Sequence, residues 1–279
     1  MAGTLRADEV RRYERDGVVH PIRVLDDAEA QHLLARLEAV EQHRAGRIPP
    51  ALNVKIHLLL PWLWDLVHDR RILDPVESLL GPDILCWGSN FFAKEPHDRR
   101  HVPWHQDTTY WGLSEPRALT AWVALTPSRL ENGCLQVARG THRSPLRHVE
   151  TKDEASMLPI RERLVEGVDP ALTELVELSS GEMSLHHGRL AHGSAANEGS
   201  HRRVGFAIRY VASDVGLAGT ARSTATLVRG RDFGRFGLEE APGGEFDADA
   251  LRRYKPVLRS WMSAVTEAVE AYRGRPGQG

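Results

Sequence analysis

Lysine, cysteine and long apolar runs are all scarce in this chain. Only four of the 36 basic residues are lysine, a bias that usually reflects a GC-rich genome more than a function. The formal net charge of −2 leaves no global basic field, so we expect no nucleic-acid partner. The longest apolar stretch, residues 56–64, contains a proline and is far shorter than a bilayer is thick, so we expect no membrane association.

Two cysteines are present, Cys86 and Cys134, and both stand in apolar surroundings. They are expected to be buried thiols in a reducing compartment. The first ten residues, MAGTLRADEV, carry charge early and lead into no apolar segment, so they do not resemble a secretion signal. These features favour a cytoplasmic protein. With 279 residues, 41% of them hydrophobic, the chain can bury a full core, and we expect a single domain over 1–279.

The N-terminal part, about residues 5–81, has a helical pattern. Segments 7–17, 26–44 and 61–80 place apolar residues at helical spacing, with acidic starts or glycine ends. Gly81 and the proline after it predict the end of the third helical region. Nothing in this part indicates an oligomeric state.

From about residue 83 to 215 the pattern changes to short strand-like runs separated by turn residues. Because no helical segments alternate with these strands, they indicate a sandwich or barrel instead of a parallel sheet. A charged insertion at about 145–176 is typical of a lid or a disordered loop. Residues 247–274 return to helix, capped by Asp247 or Asp249. The predicted fold is mainly β with flanking helices, around a core of jelly-roll type.

The stretch WHQDTTYWGL at 104–113 carries the first chemical signal. In an extended backbone His105 and Asp107 point to the same side, so an imidazole and a carboxylate can converge while Gln106 turns away. That geometry suits a metal ion. Alone it proves nothing, because this composition gives a chance expectation of about 0.8 such triplets.

A second cluster, residues 185–210, contains three histidines within seven positions. His186 and His187 fall on opposite faces of one strand, and His192 lies on the next. Two imidazoles and one carboxylate from distant segments match the facial triad that holds non-haem Fe(II) and leaves positions open. His105, Asp107 and His192 would supply it. Zinc remains a competing metal, since three ligands and an open site also describe a hydrolytic zinc centre.

The other histidines have simpler interpretations. His148 begins a further His-x-acid triplet, but it opens the charged insertion and lacks apolar walls around it, so we interpret it as a chance match. The histidines of the N-terminal part are expected at the surface or in ordinary hydrogen bonds.

Arg203 discriminates between the metals. It lies eleven residues after His192, on a strand whose inward face would also carry Gly205, Ala207 and Arg209. Small residues beside an inward arginine leave room for an anion. A guanidinium binds a carboxylate through two parallel hydrogen bonds, so Arg203 suits the distal carboxylate of 2-oxoglutarate. A surface arginine in an ion pair is the plain alternative.

These residues carry a family resemblance. The stretches WHQDTTYWGL, TAWVALTPSRLENGCLQVARGTHR and HGSAANEGSHRRVGFAIRYV resemble the phytanoyl-CoA dioxygenase family of Fe(II)- and 2-oxoglutarate-dependent oxygenases, in particular its bacterial members that act on small molecules. The resemblance covers about residues 10–240. Its combination of His-x-Asp, a distal His-Gly-Ser and an arginine at the eleventh following position is far more specific than any one of them.

The resemblance implies a double-stranded β-helix, of the jelly-roll or cupin-like kind, with Fe(II) held by His105, Asp107 and His192. It also implies that 2-oxoglutarate is bound by four residues: Arg203, Ser194, Trp122 and Lys55. The spacing at Lys55 is loose, and an exposed lysine is an equally good interpretation of that residue.

The implied reaction is the hydroxylation of an unactivated C–H bond of a small molecule, with O2 and 2-oxoglutarate as cosubstrates and succinate and CO2 as products. Asp107 argues against halogenation, because halogenases that resemble this fold replace the carboxylate with a small residue to admit chloride. Desaturation, ring closure and epimerisation begin with the same hydrogen abstraction and stay open.

The substrate is not indicated by the sequence. Arg139, His142 and Arg143 could meet an anionic substrate, although a solvated turn is the more common use of such a cluster. Trp104 and Trp111 could fill the core or line a substrate pocket. A rival class is a cupin-like metal protein without oxygenase activity, either a zinc or manganese isomerase or hydrolase, or a ligand-binding module.

Overall fold

The computed structural model describes residues 3–44, 46–158, 160 and 162–274. The helices in these ranges are α1 (Ala7–Asp16), α2 (Asp27–Gln42), α3 (Pro50–Asn53), α4 (Pro61–Val67), α5 (Arg70–Leu80) and α6 (Ala248–Arg273). The strands are β1 (Val18–Arg23), β2 (Ile84–Lys94), β3 (Val102–His105), β4 (Ala118–Ala124), β5 (Leu135–Ala138), β6 (His148–Glu150), β7 (Glu162–Leu164), β8 (Thr173–Val176), β9 (Glu182–His187), β10 (His192–Ser194), β11 (Arg203–Ala212), β12 (Thr224–Arg229) and β13 (Gly237–Leu238).

Most strands belong to two sheets. The larger sheet has seven strands in the order β1-β9-β4-β11-β2-β12-β13, and the smaller has four in the order β3-β10-β5-β8. Strands β6 and β7 pair with each other. Neighbouring strands are antiparallel, except that β12 and β13 are parallel. The prediction of a mainly β protein with flanking helices is confirmed.

Strand β11 runs through the middle of the larger sheet and separates two environments. Phe206 and Ile208 are fully buried in a cluster that includes Leu37 of α2 and Ile72 of α5. Ala207 points the other way and packs in a separate cluster with residues of both sheets. Helices therefore cover one face of the larger sheet, and the opposite face is left for the site. Each large apolar side chain buried in this way contributes about 1.5–3 kcal/mol.

Helix ends follow local sequence signals. Helix α1 ends at Gly17, whose φ of 82° is a left-handed conformation that favours glycine. Asp26 and Glu29 form a capping box at the start of α2. Asp247 caps α6 by accepting from the backbone N–H groups of Asp249 and Ala250. These ends lie within two residues of the predicted ones, and Asp247 is the residue that caps.

The structure corrects three boundaries. The N-terminal part is not wholly helical, because β1 pairs with β9 at the edge of the larger sheet. The third helical region is two helices, since Asp69 caps α5 and begins it anew. The strand-containing region extends past residue 215 to include β12 and β13. Each correction arises from a strand that pairs with a distant segment, or from a helix cap that the sequence pattern indicates only weakly.

The insertion at 145–176 is also more ordered than a lid or disordered loop. Strands β6 and β7 pair within it, and β8 adds to the edge of the smaller sheet through β5. Pro159 and Arg161 lie outside the described residues. Both cysteines are free and buried, as predicted, and burial raises the pKa of Cys86 to about 12.

Within the described ranges, no helix combines the length and the apolar character needed to cross a bilayer.

Gly205 gives a test of packing between β11 and β4. A Cβ atom at this position would lie 1.9 Å from the Trp122 ring, which is far inside van der Waals contact. We expect Gly205→Ala to lower the free energy of unfolding by about 2 kcal/mol, because the indole must move in a packed interior. Chemical denaturation measures this.

Gly167→Ala is the matched control. No atom lies within 4 Å of a Cβ built there, so its unfolding free energy should stay within about 0.5 kcal/mol of the wild-type value. Equal stability of the two variants would contradict the packing described for Trp122.

Candidate active site

Three predicted ligands meet in the structure. His105, Asp107 and His192 each offer a ligand atom, and these atoms all lie within 4.8 Å of one another. Nε2 of His105 is 3.3 Å from Oδ1 of Asp107, and the two imidazole centroids are 4.2 Å apart. Among the described residues, no other cluster of histidine, cysteine or acidic side chains has this arrangement.

Strand pairing produces the cluster. Strands β3 and β10 are antiparallel neighbours, and His192 lies directly opposite His105. Asp107 follows two residues after His105, at the start of a short 3-10 turn, and the backbone of Gln106 between them is extended. As predicted, His105 and Asp107 therefore share one side. Two ligands come from one segment and the third from the facing strand.

Backbone carbonyls orient both imidazoles. Nδ1 of His105 donates to the carbonyl of Pro103 at 2.9 Å, and Nδ1 of His192 donates to that of Leu190 at 2.8 Å. A carbonyl only accepts, so in each neutral ring the proton is on Nδ1 and Nε2 keeps its lone pair. Burial, and then His105, lower the pKa of His192 to about 4. Neutral imidazoles with free Nε2 atoms are the form that binds a metal.

The carboxylate of Asp107 stays ionised. Burial alone would raise its pKa, but a hydrogen bond from His105 and the charges that His192 and His105 carry when protonated, together with the charge of Arg209, outweigh burial and hold the pKa well below its usual value. Thr120 of β4 donates a hydrogen bond to Oδ2 of Asp107 at 3.2 Å, which leaves Oδ1 beside His105. Two imidazole nitrogens and one carboxylate oxygen, each side chain oriented by a second hydrogen bond, fit a divalent metal ion.

Gln106 and His148 hold the backbone between the ligands. The Gln106 side chain turns away, as predicted, and its amide bonds the backbone of Thr141, Ser144, Leu146 and Arg189. The backbone N–H of Gln106 donates to Nε2 of His148 at 3.0 Å. The prediction that His148 lacks apolar walls was wrong, because its buried ring packs edge-on against two tyrosines. In the part of the chain that the structure describes, His148 belongs to no cluster that could bind a metal.

The ligands open on a cavity of about 320 Å³, within the size range of small-molecule sites. Its walls are largely aromatic and aliphatic and come from the interior face of the larger sheet, the smaller sheet, α3, α6 and the residues Met157, Leu158 and Ile160. All seven predicted site residues line it: His105, Asp107, His192, Arg203, Ser194, Trp122 and Lys55.

Arg203 is buried at 2% exposure and aims into this cavity. One Nη donates to the carbonyl of Gly133 at 2.9 Å, Nε has no partner, and no carboxylate of the described residues pairs with the guanidinium. Burial lowers the pKa of Arg203 to about 10, so it is charged at neutral pH. The Trp122 ring lies 5.3 Å away against Gly205. A buried cation with an unsatisfied donor fits an anionic ligand, and a surface ion pair is excluded as the explanation of Arg203.

Ser194 stands beside Arg203 and has a partner that the sequence analysis missed. Nζ of the fully buried Lys94 donates to Oγ of Ser194 at 2.7 Å and to the carbonyl of Ala195. Burial, and then the charge of Arg203, lower the pKa of Lys94 to about 7. Because a protonated lysine can only donate, the hydroxyl proton of Ser194 is left to point elsewhere. Lys94 faces Arg203 in register across β2 and β11, a relation that only strand pairing reveals.

Lys55 is neither exposed nor free. Its Nζ lies 2.7 Å from Oε1 of Glu239 and 2.6 Å from the carbonyl of Thr224, and both side chains of the ion pair are at most 1% exposed. His57 lies 3.7 Å from the other carboxylate oxygen. The alternative of an exposed lysine was therefore wrong. The ammonium of Lys55 is already engaged by a carboxylate, whereas the guanidinium of Arg203 is not.

The remaining candidates divide between cavity and core. Trp111 lines the cavity, while Trp104 packs in an apolar cluster with Ala138 and Ala191 and does not line it. The cluster that could have met an anionic substrate is elsewhere. His142 and Arg143 contact backbone carbonyls of α1, and Arg139 contacts the carbonyl of Ala171.

Fold and site together define a class: a mainly β protein in which two imidazoles and one carboxylate form a candidate metal site, open to a cavity that also holds an arginine without a carboxylate partner among the described residues. The chain belongs to the phytanoyl-CoA dioxygenase (PhyH) family, whose sequence profile matches residues 13–205. The family prediction is confirmed.

Relatives in this family include an ectoine dioxygenase of Bordetella parapertussis, 30% identical over 158 residues, which are 51% of this chain and 51% of that protein. A probable alpha-ketoglutarate-dependent hypophosphite dioxygenase of Stutzerimonas stutzeri is 30% identical over 161 residues, or 57% of this chain and 56% of that protein. The chain thus spans about half the length of these curated relatives.

The likeness to a solved structure is more extensive. The non-heme monooxygenase ThoJ, in its apo form, is 33% identical and superposes with a TM-score of 0.85, covering 95% of this chain and 100% of that chain.

Glu239 provides a test of the buried ion pair. Burial alone would raise its pKa, but Lys55 and His57 outweigh burial and lower it from 4.5 to about 2. We expect Glu239→Gln to lower the free energy of unfolding by about 3 kcal/mol at neutral pH, because Lys55 is left charged and buried without a partner. Denaturant unfolding measures this loss.

The pH dependence has a defined sign. A carboxyl group whose pKa is lower in the folded state stabilises the fold above its unfolded pKa, so this contribution is lost as the pH falls from 4.5 toward 2. Glu240→Gln is the control, because the Glu240 side chain is 75% exposed. This variant should change the free energy of unfolding by less than about 0.5 kcal/mol. Equal stability of Glu239→Gln and Glu240→Gln would contradict a stabilising ion pair between Lys55 and Glu239.

Proposed function

We propose that this protein is an Fe(II)- and 2-oxoglutarate-dependent oxygenase that hydroxylates an unactivated C–H bond of a small molecule. The observation that carries the proposal is that one cavity contains both the His105, Asp107 and His192 cluster and the unpaired guanidinium of Arg203. A metal centre alone fits several reactions. An additional buried cation aimed at the same space fits an anionic cosubstrate that also chelates the metal.

His105, Asp107 and His192 would hold the ferrous ion through Nε2, a carboxylate oxygen and Nε2. When bound, iron with 2-oxoglutarate and O2 supplies the oxidising chemistry, and succinate and CO2 are released. The protein's part is to fix the ligand geometry through the carbonyls of Pro103 and Leu190, to keep Asp107 ionised, and to keep bulk water from the reacting C–H bond with apolar walls.

Arg203 would bind the distal carboxylate of 2-oxoglutarate through its free N–H groups. Ser194 supports this, since Lys94 already donates to its oxygen and its own proton is available for a carboxylate. Trp122 would wall the cosubstrate and keep the guanidinium in place. Lys55 would contribute as a cosubstrate contact only through the one ammonium proton that Glu239 and Thr224 leave free.

The two facing sheets would form the double-stranded β-helix of a single catalytic domain. The relatives named for ectoine and hypophosphite support a small molecule as the substrate, and Asp107 supports oxygenation over halogenation. The rival, a cupin-like zinc or manganese protein, explains the three ligands but gives no reason for an unpaired arginine beside them.

Calorimetry of single variants separates metal binding from cosubstrate binding. We expect His105→Ala to abolish stoichiometric Fe(II) binding under anaerobic conditions, because two remaining ligands hold the ion weakly. Arg203→Ala should still bind Fe(II) but lose about 100-fold in 2-oxoglutarate affinity, the scale of a truncated buried charge pair.

The visible absorption band of the iron and 2-oxoglutarate chelate provides a second readout. It should form in the wild type and in His32→Ala, a control on the exposed face of α2, and fail in both site variants at limiting cosubstrate. If Arg203→Ala binds 2-oxoglutarate with normal affinity, Arg203 is not the residue that binds the cosubstrate. A wild type that binds Zn²⁺ but forms no chelate would favour the rival.

A further inference from the structure

A second arginine, Arg209, lies on the same face of β11 as Arg203 and also lines the cavity. It stands in register with Thr120, the residue that donates to Asp107. Arg203 is instead beside Trp122 and Ser194, six residues and about 20 Å of strand away. The two guanidinium groups therefore serve different parts of the cavity: Arg203 the cosubstrate end, and Arg209 the level of the metal ligands.

Arg209 forms no ion pair in the described part of the chain, and the carboxylate whose charge acts on it most is that of the predicted metal ligand Asp107. Its one hydrogen bond goes from Nη1 to the neutral amide oxygen of Asn90, and none of the ion pairs includes it. The arginines Arg202 and Arg229, by contrast, each contact two carboxylates. A guanidinium has five N–H donors, so most of those on Arg209 have no hydrogen-bond partner in the described part of the chain, and the side chain lines the cavity.

The charges of the loaded site do not cancel without a further anion. Asp107 and one carboxylate of 2-oxoglutarate offset the ferrous ion, and Arg203 offsets the other carboxylate. Lys55 is offset by Glu239. Lys94 is a further buried cation without a carboxylate partner among the described residues, but burial and Arg203 lower its pKa, so it can lose its proton, whereas an arginine stays charged. Arg209 then remains as a cation without a matching anion, which is costly unless a ligand supplies the opposite charge.

Other walls near this end of the cavity are apolar. Trp87 and Trp111 are in contact, with ring centroids 5.3 Å apart, and Trp261 of α6 lies against Trp87 at 6.4 Å. Val265 of α6 and Leu158 also line the cavity. These side chains provide surface for a hydrocarbon or aromatic body but no second charged contact.

We propose that Arg209 binds the single carboxylate, or an equivalent anionic group, of a substrate whose remaining body is apolar. This inference rests on the proposed function and names its substrate class. Asn90 holds the guanidinium in place from one side, and the free N–H groups bind the anion. The substrate's charged end is fixed at the level of the metal ligands, so its apolar body extends along the tryptophans.

Matched acids and amides test the proposal in the intact protein, loaded anaerobically with Fe(II) and 2-oxoglutarate. The probes are octanoate, 4-phenylbutanoate and cyclohexanecarboxylate, each beside its primary amide. Tryptophan fluorescence reports binding, because three tryptophans line this part of the cavity. We expect at least one acid to bind the wild type about tenfold or more tightly than its amide.

Arg209→Met should lower the affinity for that acid to the level of its amide while changing the 2-oxoglutarate affinity by less than about twofold. Arg209→Lys keeps the charge and should retain part of the preference, which guards against a merely misfolded Met variant. Arg231→Met, at an exposed arginine stacked on Phe233, should behave as the wild type.

Three results would overturn the inference. Acids and amides could bind the wild type equally across the panel, or Arg209→Met could keep the wild-type preference. Alternatively, Arg209→Met could lose 2-oxoglutarate instead of the acid, which would assign Arg209 to the cosubstrate. A wild type that forms no chelate with Fe(II) and 2-oxoglutarate would contradict the proposed function itself, and is seen before any acid is added.

Discussion

The antiparallel pairing of β3 with β10 is the contact on which the site depends. It sets His105 opposite His192, and the carbonyls two residues before each histidine fix both rings with Nε2 toward the same point. Asp107 joins them because Gln106 is extended and is held by His148. A shift of one residue in this pairing would turn one imidazole to the other face of its sheet, and the three ligand atoms would no longer converge.

The inner face of β11 gives the cavity its shape and charge. Gly205 leaves room for the Trp122 ring, and the small side chain of Ala207 fills little of the cavity. Arg203 and Arg209, on either side of these two residues along β11, therefore extend into the cavity. On the opposite face of β11, large apolar residues pack against the helices. One strand thus joins the hydrophobic core to the site, and the alternation of side chains keeps the two functions separate.

The presence or absence of an ion pair distinguishes the cations that stabilise the fold from those that are available to bind a ligand. Lys55 is buried but has a carboxylate at 2.7 Å, so its charge is balanced within the protein. In the described part of the chain, the guanidinium groups of Arg203 and Arg209 donate hydrogen bonds only to neutral oxygen atoms.

The sequence alone determined what local physics encodes: helix ends at Gly17 and Asp26, the alternation along β11, and the same-side placement of His105 and Asp107. It also indicated Arg203, because the alternation that puts Arg203 on the same face of β11 as Gly205 and Ala207 is a local property. Tertiary structure alone decided which cations are paired. Lys55 meets Glu239 across 184 residues, Lys94 meets Ser194 across 100, and Arg209 meets no carboxylate among the described residues. Such facts depend on distances between remote segments, and a one-dimensional pattern does not contain them.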